Sequence, residues 1–328
     1  MTKTAPIDLV RGIRRWDLVA FGINLTVGAG IFGLPSRVYS LSGPASLIAY
    51  AVCAVAILLV GLCFAEVSSH FNKTGGPYLY AREAFGSLVG FEIGWLRWLA
   101  GVAAFAANSN LLVDYLLYLW PAAESGAVRP LVISTTILSV TAINLIGVRD
   151  TAIASNILAV GKLIPLLFFI VVGLFFINPQ NFSMATQPSY SQMSISVLLL
   201  MYAFSGFESL TIPAGETRDP QRSIPFALLT TIGIVTVVYV LIQVVCIGTL
   251  PELASSSRPL ADASSRFLGA WGGYLISAGA IVSMAGNFNA NILGTSRLVF
   301  AMARDGHLPR IFAAIQPRFR TPYISILF

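Results

Sequence analysis

Charge is scarce in this sequence. Lys, Arg, Asp and Glu make up 10% of its 328 residues, 56% are hydrophobic, and mean hydropathy is +0.79. A soluble domain carries about 25% charged residues, so the scarcity excludes that class and points to a polytopic membrane protein. It also changes the meaning of the net charge of +6. A basic excess in short loops is a topology signal and not a nucleic-acid footprint. Histidine is nearly absent: His70 and His307 both sit at expected helix ends. The three cysteines, Cys53, Cys63 and Cys246, lie inside apolar runs without metal-type spacing. They read as buried packing residues, with no disulfide, metal site or cofactor implied. The apolar runs hold no nucleophile with its base and no metal cluster, which argues against an enzyme. No repeated ring of charges supports a channel. A cleavable leader is not expected either: Arg11, Arg14 and Arg15 precede a first span that is long and lacks a small-residue exit.

What the sequence has in abundance is long apolar runs. A membrane-spanning helix needs about 20 mainly apolar residues. Eight spans are expected, over 17–41, 44–69, 88–119, 130–147, 153–177, 193–213, 226–250 and 271–301, with a ninth apolar run beginning at Tyr323. One alternating set of loops holds Lys3, Arg11, Arg14, Arg15, Lys73, Arg82, Arg149, Arg218, Arg222, Arg304, Arg310, Arg318 and Arg320. The other holds only Arg37, Arg129, Arg258 and Arg266. The richer set is expected in the cytoplasm, with the N-terminus inside. After the second span, residues 71–77 read as a helix-breaking loop, and Tyr78–Phe85 as a short amphipathic helix with Pro77 in its first turn. A second polar loop is expected over Gly215–Arg222.

Two spans carry their own interruption. Gly28, Gly30 and Gly33 crowd the middle of the first. Glycine disfavours helix by about 1 kcal/mol relative to alanine and lets backbone approach a ligand closely. The stretch reads either as a broken helix facing a cavity or as a small-residue packing face. The sixth span repeats the theme with Ser205-Gly206 and then Glu208, a carboxylate inside an apolar run. The sixth span is offset from the first by five, an odd number, so the second copy would be inverted. Matching interruptions in two inverted halves point to a transporter's binding site.

The motifs GAGIFGLP (28–35), FNKTGGPYLYAREAFG (71–86), FSGFES (204–209), GETRDPQRSIP (215–225) and NILGTSRLVFAMARDGHLP (291–309) resemble, in order and spacing, those of the amino acid–polyamine–organocation transporters. The resemblance implies an all-α polytopic membrane protein with a five-plus-five inverted repeat and discontinuous first and sixth helices, usually followed by two more. Residues 1–178 would form the first repeat and 179–328 an incomplete second, because the chain stops as the ninth helix starts. A partial chain is therefore expected. The implied activity is secondary transport of an amino acid across the plasma membrane, coupled to protons. An amino acid or polyamine exchanger and a non-transporting remnant are the alternatives. The implied partners are the substrate, protons and membrane lipid, with no nucleic acid.

Carried over by position, the resemblance has the N–H groups of Ala29, Gly30 and Ile31 hold the substrate carboxylate at a half-helix N-terminus. Carbonyls of Thr26, Ala203, Phe204 and Ser205 would accept from its ammonium. Tyr202, Phe204, Asn108 and Asn291 are candidates for the cavity wall, with Phe204 as a lid. For the asparagines the alternative is an interhelical hydrogen bond, and for the aromatics packing. Glu208 is expected to pair with a basic group, gate the outer path or bind a proton; the alternative is a structural hydrogen bond across the break in the sixth span. Lys162 lies about ten residues into the fifth span. A lysine at mid-membrane costs about 2.5–3.5 kcal/mol on insertion scales, so it needs a partner or must snorkel out. In the family reading it replaces a sodium ion and loads and releases a proton. Arg97 and Arg297 also fall inside expected spans and receive no role.

Overall fold

The computed structural model describes residues 9, 11–121, 126–184 and 187–328. Lys3 and the Arg149 side chain lie outside what is described. Among the described residues the chain is helical, without a β-strand. In order, the helices are α1 (Arg15–Thr26), α2 (Ala29–Ser42), α3 (Ser46–Ser69), α4 (Pro77–Phe85), α5 (Ser87–Leu119) and α6 (Val128–Ile146). They continue with α7 (Val148–Gly173), α8 (Tyr190–Phe204), α9 (Pro220–Thr249), α10 (Pro259–Leu268), α11 (Ala270–Arg304) and α12 (Tyr323–Leu327).

Among the described residues six helical segments are long and apolar enough to cross a membrane, and the protein is a multi-pass membrane protein. Each of the eight expected spans falls on helix, but α2 and α3 run together as one apolar stretch and α11 is not apolar enough to count among the six. The reason is burial. α11 carries Ser277, Ser283, Asn287, Asn289, Asn291, Ser296 and Arg297, all buried against α5, α7 and α1. A helix that faces protein on most sides does not need the apolar surface that lipid demands. By contrast α3 and α7 leave Val55, Leu59, Ile157 and Val171 exposed on their outer faces. Cys63 corrects the expectation for the cysteines: Cys53 and Cys246 are buried, whereas Cys63 is exposed on α3.

The first span breaks at one point. Val27 (φ −80°, ψ 87°) and Gly28 (φ −126°, ψ −144°) leave the helix, which resumes at Ala29. Gly30 and Gly33 therefore lie inside α2 rather than in the break. The sixth span ends as α-helix at Phe204, turns through Ser205 and Gly206, and continues as a tighter 3-10 stretch over Phe207–Glu216. α1 packs on that stretch while α2 packs on α8, so the two broken spans run antiparallel with their breaks adjacent.

Two regions differ from expectation. Residues 259–268 form α10, an amphipathic helix opened by Pro259 whose Leu260, Ala261 and Ala263 are buried. Gly215 and Glu216 belong to the 3-10 stretch rather than to a solvated loop. Glu216 is fully buried and receives two hydrogen bonds from Arg297: Nε to Oε2 at 2.7 Å and Nη2 to Oε1 at 3.1 Å. Beside it, Ile13 donates its N–H to the Glu216 carbonyl at 3.0 Å and accepts from the Arg218 N–H at 2.8 Å. The chain entering α1 is thus stitched to the end of the second broken span. α4 forms as expected and docks on the end of α11, where Arg82 pairs with Asp305 and the Tyr78 hydroxyl donates to Asp305 at 2.9 Å. Burial, with Asp305 beside it, pushes the Tyr78 hydroxyl up to about 12, so it stays a donor.

A buried, two-pronged ion pair is costly to break and cheap to replace. Arg297→Met, which strands the Glu216 carboxylate, is expected to lower stability by about 3–5 kcal/mol. The double variant Arg297→Met/Glu216→Leu should recover most of that loss, read as the melting temperature of the purified protein in detergent.

Candidate functional site

A cavity of about 440 Å³ opens between the two breaks, within the usual range of small-molecule sites, roughly 300–1,000 Å³. Thr26, Gly28, Ala29 and Gly30 line one side, and Tyr202, Ala203, Ser205, Gly206 and Glu208 the other. α5 closes it with Arg97, Ala100, Ala103, Ala104, Ala107 and Asn108, and α11 contributes Asn287 and Asn291. Two glycines make this approach possible. A Cβ on Gly30 would sit 2.8 Å from the Ala203 Cα, and one on Gly206, whose φ is +112°, would sit 2.7 Å from the Leu25 carbonyl oxygen. The cavity and close-packing readings of the first break therefore hold together: Gly30 packs and Gly28 turns.

Breaking a helix frees backbone groups that hydrocarbon will not satisfy. Here side chains from neighbouring helices take them. The Val27 carbonyl accepts from Lys162 Nζ at 2.7 Å and from Ser283 Oγ at 3.0 Å. Asn287 Nδ2 donates to the carbonyls of Asn24 and Leu25, at 3.0 and 2.9 Å. The Tyr239 hydroxyl lies 3.0 Å from the Thr26 carbonyl and 3.2 Å from that of Ala203, joining one break to the other. The Ala29 N–H donates to Asn108 Oδ1 at 2.9 Å. The Gly206 N–H donates to Glu208 Oε2 at 2.8 Å.

This corrects the picture of open backbone waiting for a ligand. The Ala29 donor is held by Asn108, and the Tyr239 hydroxyl, with one proton to give, lies between the Thr26 and Ala203 acceptors. Gly30 lines the cavity; Ile31 is fully buried beyond its wall. Phe204 is not a wall or a lid in this geometry. Its ring is buried edge-on against Tyr239, with centroids 5.0 Å apart. Tyr202, 48% exposed, is the aromatic that borders the cavity. Ser205 borders it too, its hydroxyl donating to the Tyr202 carbonyl at 2.7 Å. Asn291 lines it while donating to the Gly101 carbonyl at 3.2 Å, so its wall position and its interhelical bond coexist. Lys162 is fully buried behind the break rather than in the cavity. Glu208 faces the cavity and pairs with Arg97 at 3.5 Å.

Sequence reasoning passed over Arg97, Tyr239, Ser283 and Asn287. Two signals were present. Ser283, Asn287 and Asn291 recur every fourth residue on α11, one polar face. Arg97 and Asn108 lie about three turns apart on α5 with four alanines on the face between them. Tyr239 had no such pattern.

A family model for amino acid permeases matches residues 13–328. The chain belongs to the amino acid permease family. The permease is 30% identical over 333 residues to the methylthioribose transporter of Bacillus subtilis, covering 96% of this chain and 72% of that protein. It is 32% identical over 323 residues to the serine/threonine exchanger SteT of the same organism, covering 93% and 72%. With the branched-chain amino acid permease BcaP it shares 25% identity over 339 residues, covering 98% and 73%. These relatives are transporters, and this permease is a transporter rather than an enzyme.

Tyr239→Phe keeps the ring on Phe204 and removes the hydroxyl that joins the breaks. Stability should fall by about 1–3 kcal/mol, the cost of leaving a buried carbonyl unsatisfied. Backbone amides around residues 27–31 and 203–206 should exchange hydrogen faster than in the parent, measured by mass spectrometry.

Proposed function

We propose that this permease carries an α-amino acid across the plasma membrane in symport with protons, its N-terminus in the cytoplasm. The observation that carries the reading is the pair of adjacent, antiparallel breaks around one cavity. The N-terminus of α2 offers the N–H group of Gly30 to a carboxylate, together with that of Ala29 once Asn108 turns aside and that of Ile31 once the wall in front of it opens. The carbonyls of Thr26, Ala203, Phe204 and Ser205 form the acceptor side for an ammonium. Asn108 Oδ1 and the Tyr239 hydroxyl now occupy the two kinds of contact that a zwitterion makes: an oxygen on Ala29 and a donor on Thr26 and Ala203. A substrate replaces contacts of the same chemistry, so its entry does not strand buried backbone. Residues 1–178 and 179–328 are read as two inverted repeats, the second represented in part. The antiparallel packing of the broken spans supports this, and the loop-charge asymmetry supports the orientation.

Lys162 supplies the proton link. Its ammonium donates to the Val27 carbonyl at the break. Among the described residues no carboxylate lies within ion-pair distance of it. A charged amine held by a backbone carbonyl is stabilised less than one facing a carboxylate. Losing the proton weakens the grip on Val27, and the α1–α2 junction loosens. Protonation and the geometry of the substrate site are thereby linked. The serine/threonine exchanger among the relatives favours a second reading, exchange of amino acids, in which Lys162 only anchors the break.

Lys162→Gln separates the two. In proteoliposomes it should abolish uptake driven by a pH gradient while the substrate still raises the melting temperature. Gradient-driven uptake at the parent's rate would refute proton coupling through Lys162. Retained amino acid counterflow, in a parent that ignores the gradient, would establish exchange.

A further inference from the structure

Arg97 and Glu208 are the two charged side chains lining the cavity among the described residues. The carboxylate is anchored twice: Oε1 lies 3.5 Å from the guanidinium, and Oε2 accepts the Gly206 N–H at 2.8 Å. Arg97 Nε also donates to the Ser209 hydroxyl at 2.7 Å. Their side chains keep 17% and 22% of their exposure, so the pair is neither sealed in the core nor free in bulk water. It faces the cavity. Between it and Asn108 the α5 wall is Ala100, Ala103, Ala104 and Ala107, too small to obstruct what lies along it. One end of the cavity holds the backbone groups read above as the zwitterion site. The other end holds a charge-compensated pair.

We propose that the Arg97–Glu208 pair sets charge specificity: the cavity admits amino acids with electrically neutral side chains and rejects those with a side-chain ammonium or carboxylate. The inference rests on the amino acid reading of the site. The charge of the lining sums to zero. A cationic side chain reaching this end meets the guanidinium, and an anionic one meets the carboxylate. Either leaves an uncompensated charge in a site partly withdrawn from water, where charge imbalance costs more than in bulk solvent. A hydroxyl or amide side chain accepts from Arg97 and donates to Glu208 without changing the balance. Discrimination of this kind works through the repulsive element as much as the attractive one. It follows that each partner, left alone, invites the opposite charge.

The test is competition binding to the purified permease, with serine, threonine and leucine set against lysine and arginine and against aspartate and glutamate. The parent should prefer the neutral set. Arg97→Gln should move the preference toward lysine and arginine by about tenfold, or about 1.4 kcal/mol. Glu208→Gln should move it by a similar factor toward aspartate and glutamate. The double variant Arg97→Gln/Glu208→Gln should return to neutral ligands. Folded single variants that bind in the parent's order overturn the inference. So does a parent that prefers a charged amino acid, or a set of folded variants in which the singles and the double alike bind nothing, since the pair would then be structural. A parent that binds no amino acid overturns the site reading and this inference with it. The other outcomes overturn this inference alone.

Discussion

Backbone polar groups inside a membrane protein must find partners within the protein, and the permease is arranged around that constraint. Two spans are broken beside each other, and each break frees donors and acceptors. The surrounding helices are placed to meet them: Lys162 from α7, Tyr239 from α9, Ser283 and Asn287 from α11, Asn108 from α5. α9, α7 and α11, which pack on α1, thus also complete the hydrogen bonding at its broken end. A site made this way is costly to assemble and specific once assembled, because a partly satisfied buried network is worse than none.

Charge follows the same logic. Arg297 with Glu216 and Arg97 with Glu208 are each closed locally, which lets an apolar chain hold cations at depth without exposing them to lipid. They differ in access. The first pair is wholly buried and holds the end of the broken sixth span to α11. The second borders the cavity, where its balance is available to a ligand. Lys162 is the exception, a cation answered by dipoles alone.

Much of this was legible in the sequence. Long apolar runs gave the helices, and Gly28 and Ser205-Gly206 marked the breaks: Gly206 holds φ +112°, and a Cβ on Gly28 would sit 2.9 Å from Asn287 Nδ2. The motif order gave the family. What could not be read was which groups would answer the freed backbone. That depends on which faces of distant helices meet: Asn108 and Ala29 are 79 residues apart, and Ser283 and Val27 are 256 apart. Phe204 misled for a related reason. An aromatic next to a break faces either the cavity or the core, and a rotation of one residue decides it. Glu216 was read as loop because its neighbours are polar, while its partner Arg297 lies on another helix. α11 was expected over 271–301, but its polar residues gave no sign that they are spent on protein neighbours.

The small backbone bridge at Ile13 has a mechanical consequence. α1 is fastened at its base to Glu216 and Arg218 by two main-chain bonds and at its tip to Lys162 through Val27. A rod pinned at both ends does not swing by itself. If the lower half of the first span tilts to open a path, the segment 216–218 must travel with it or unzip. In the first case Arg297, gripping Glu216, carries the displacement into α11. In the second the base comes free while the tip remains the fulcrum. Movement near one face of the membrane is geared, through a single residue's N–H and C=O, to the helix that lines the far wall of the cavity.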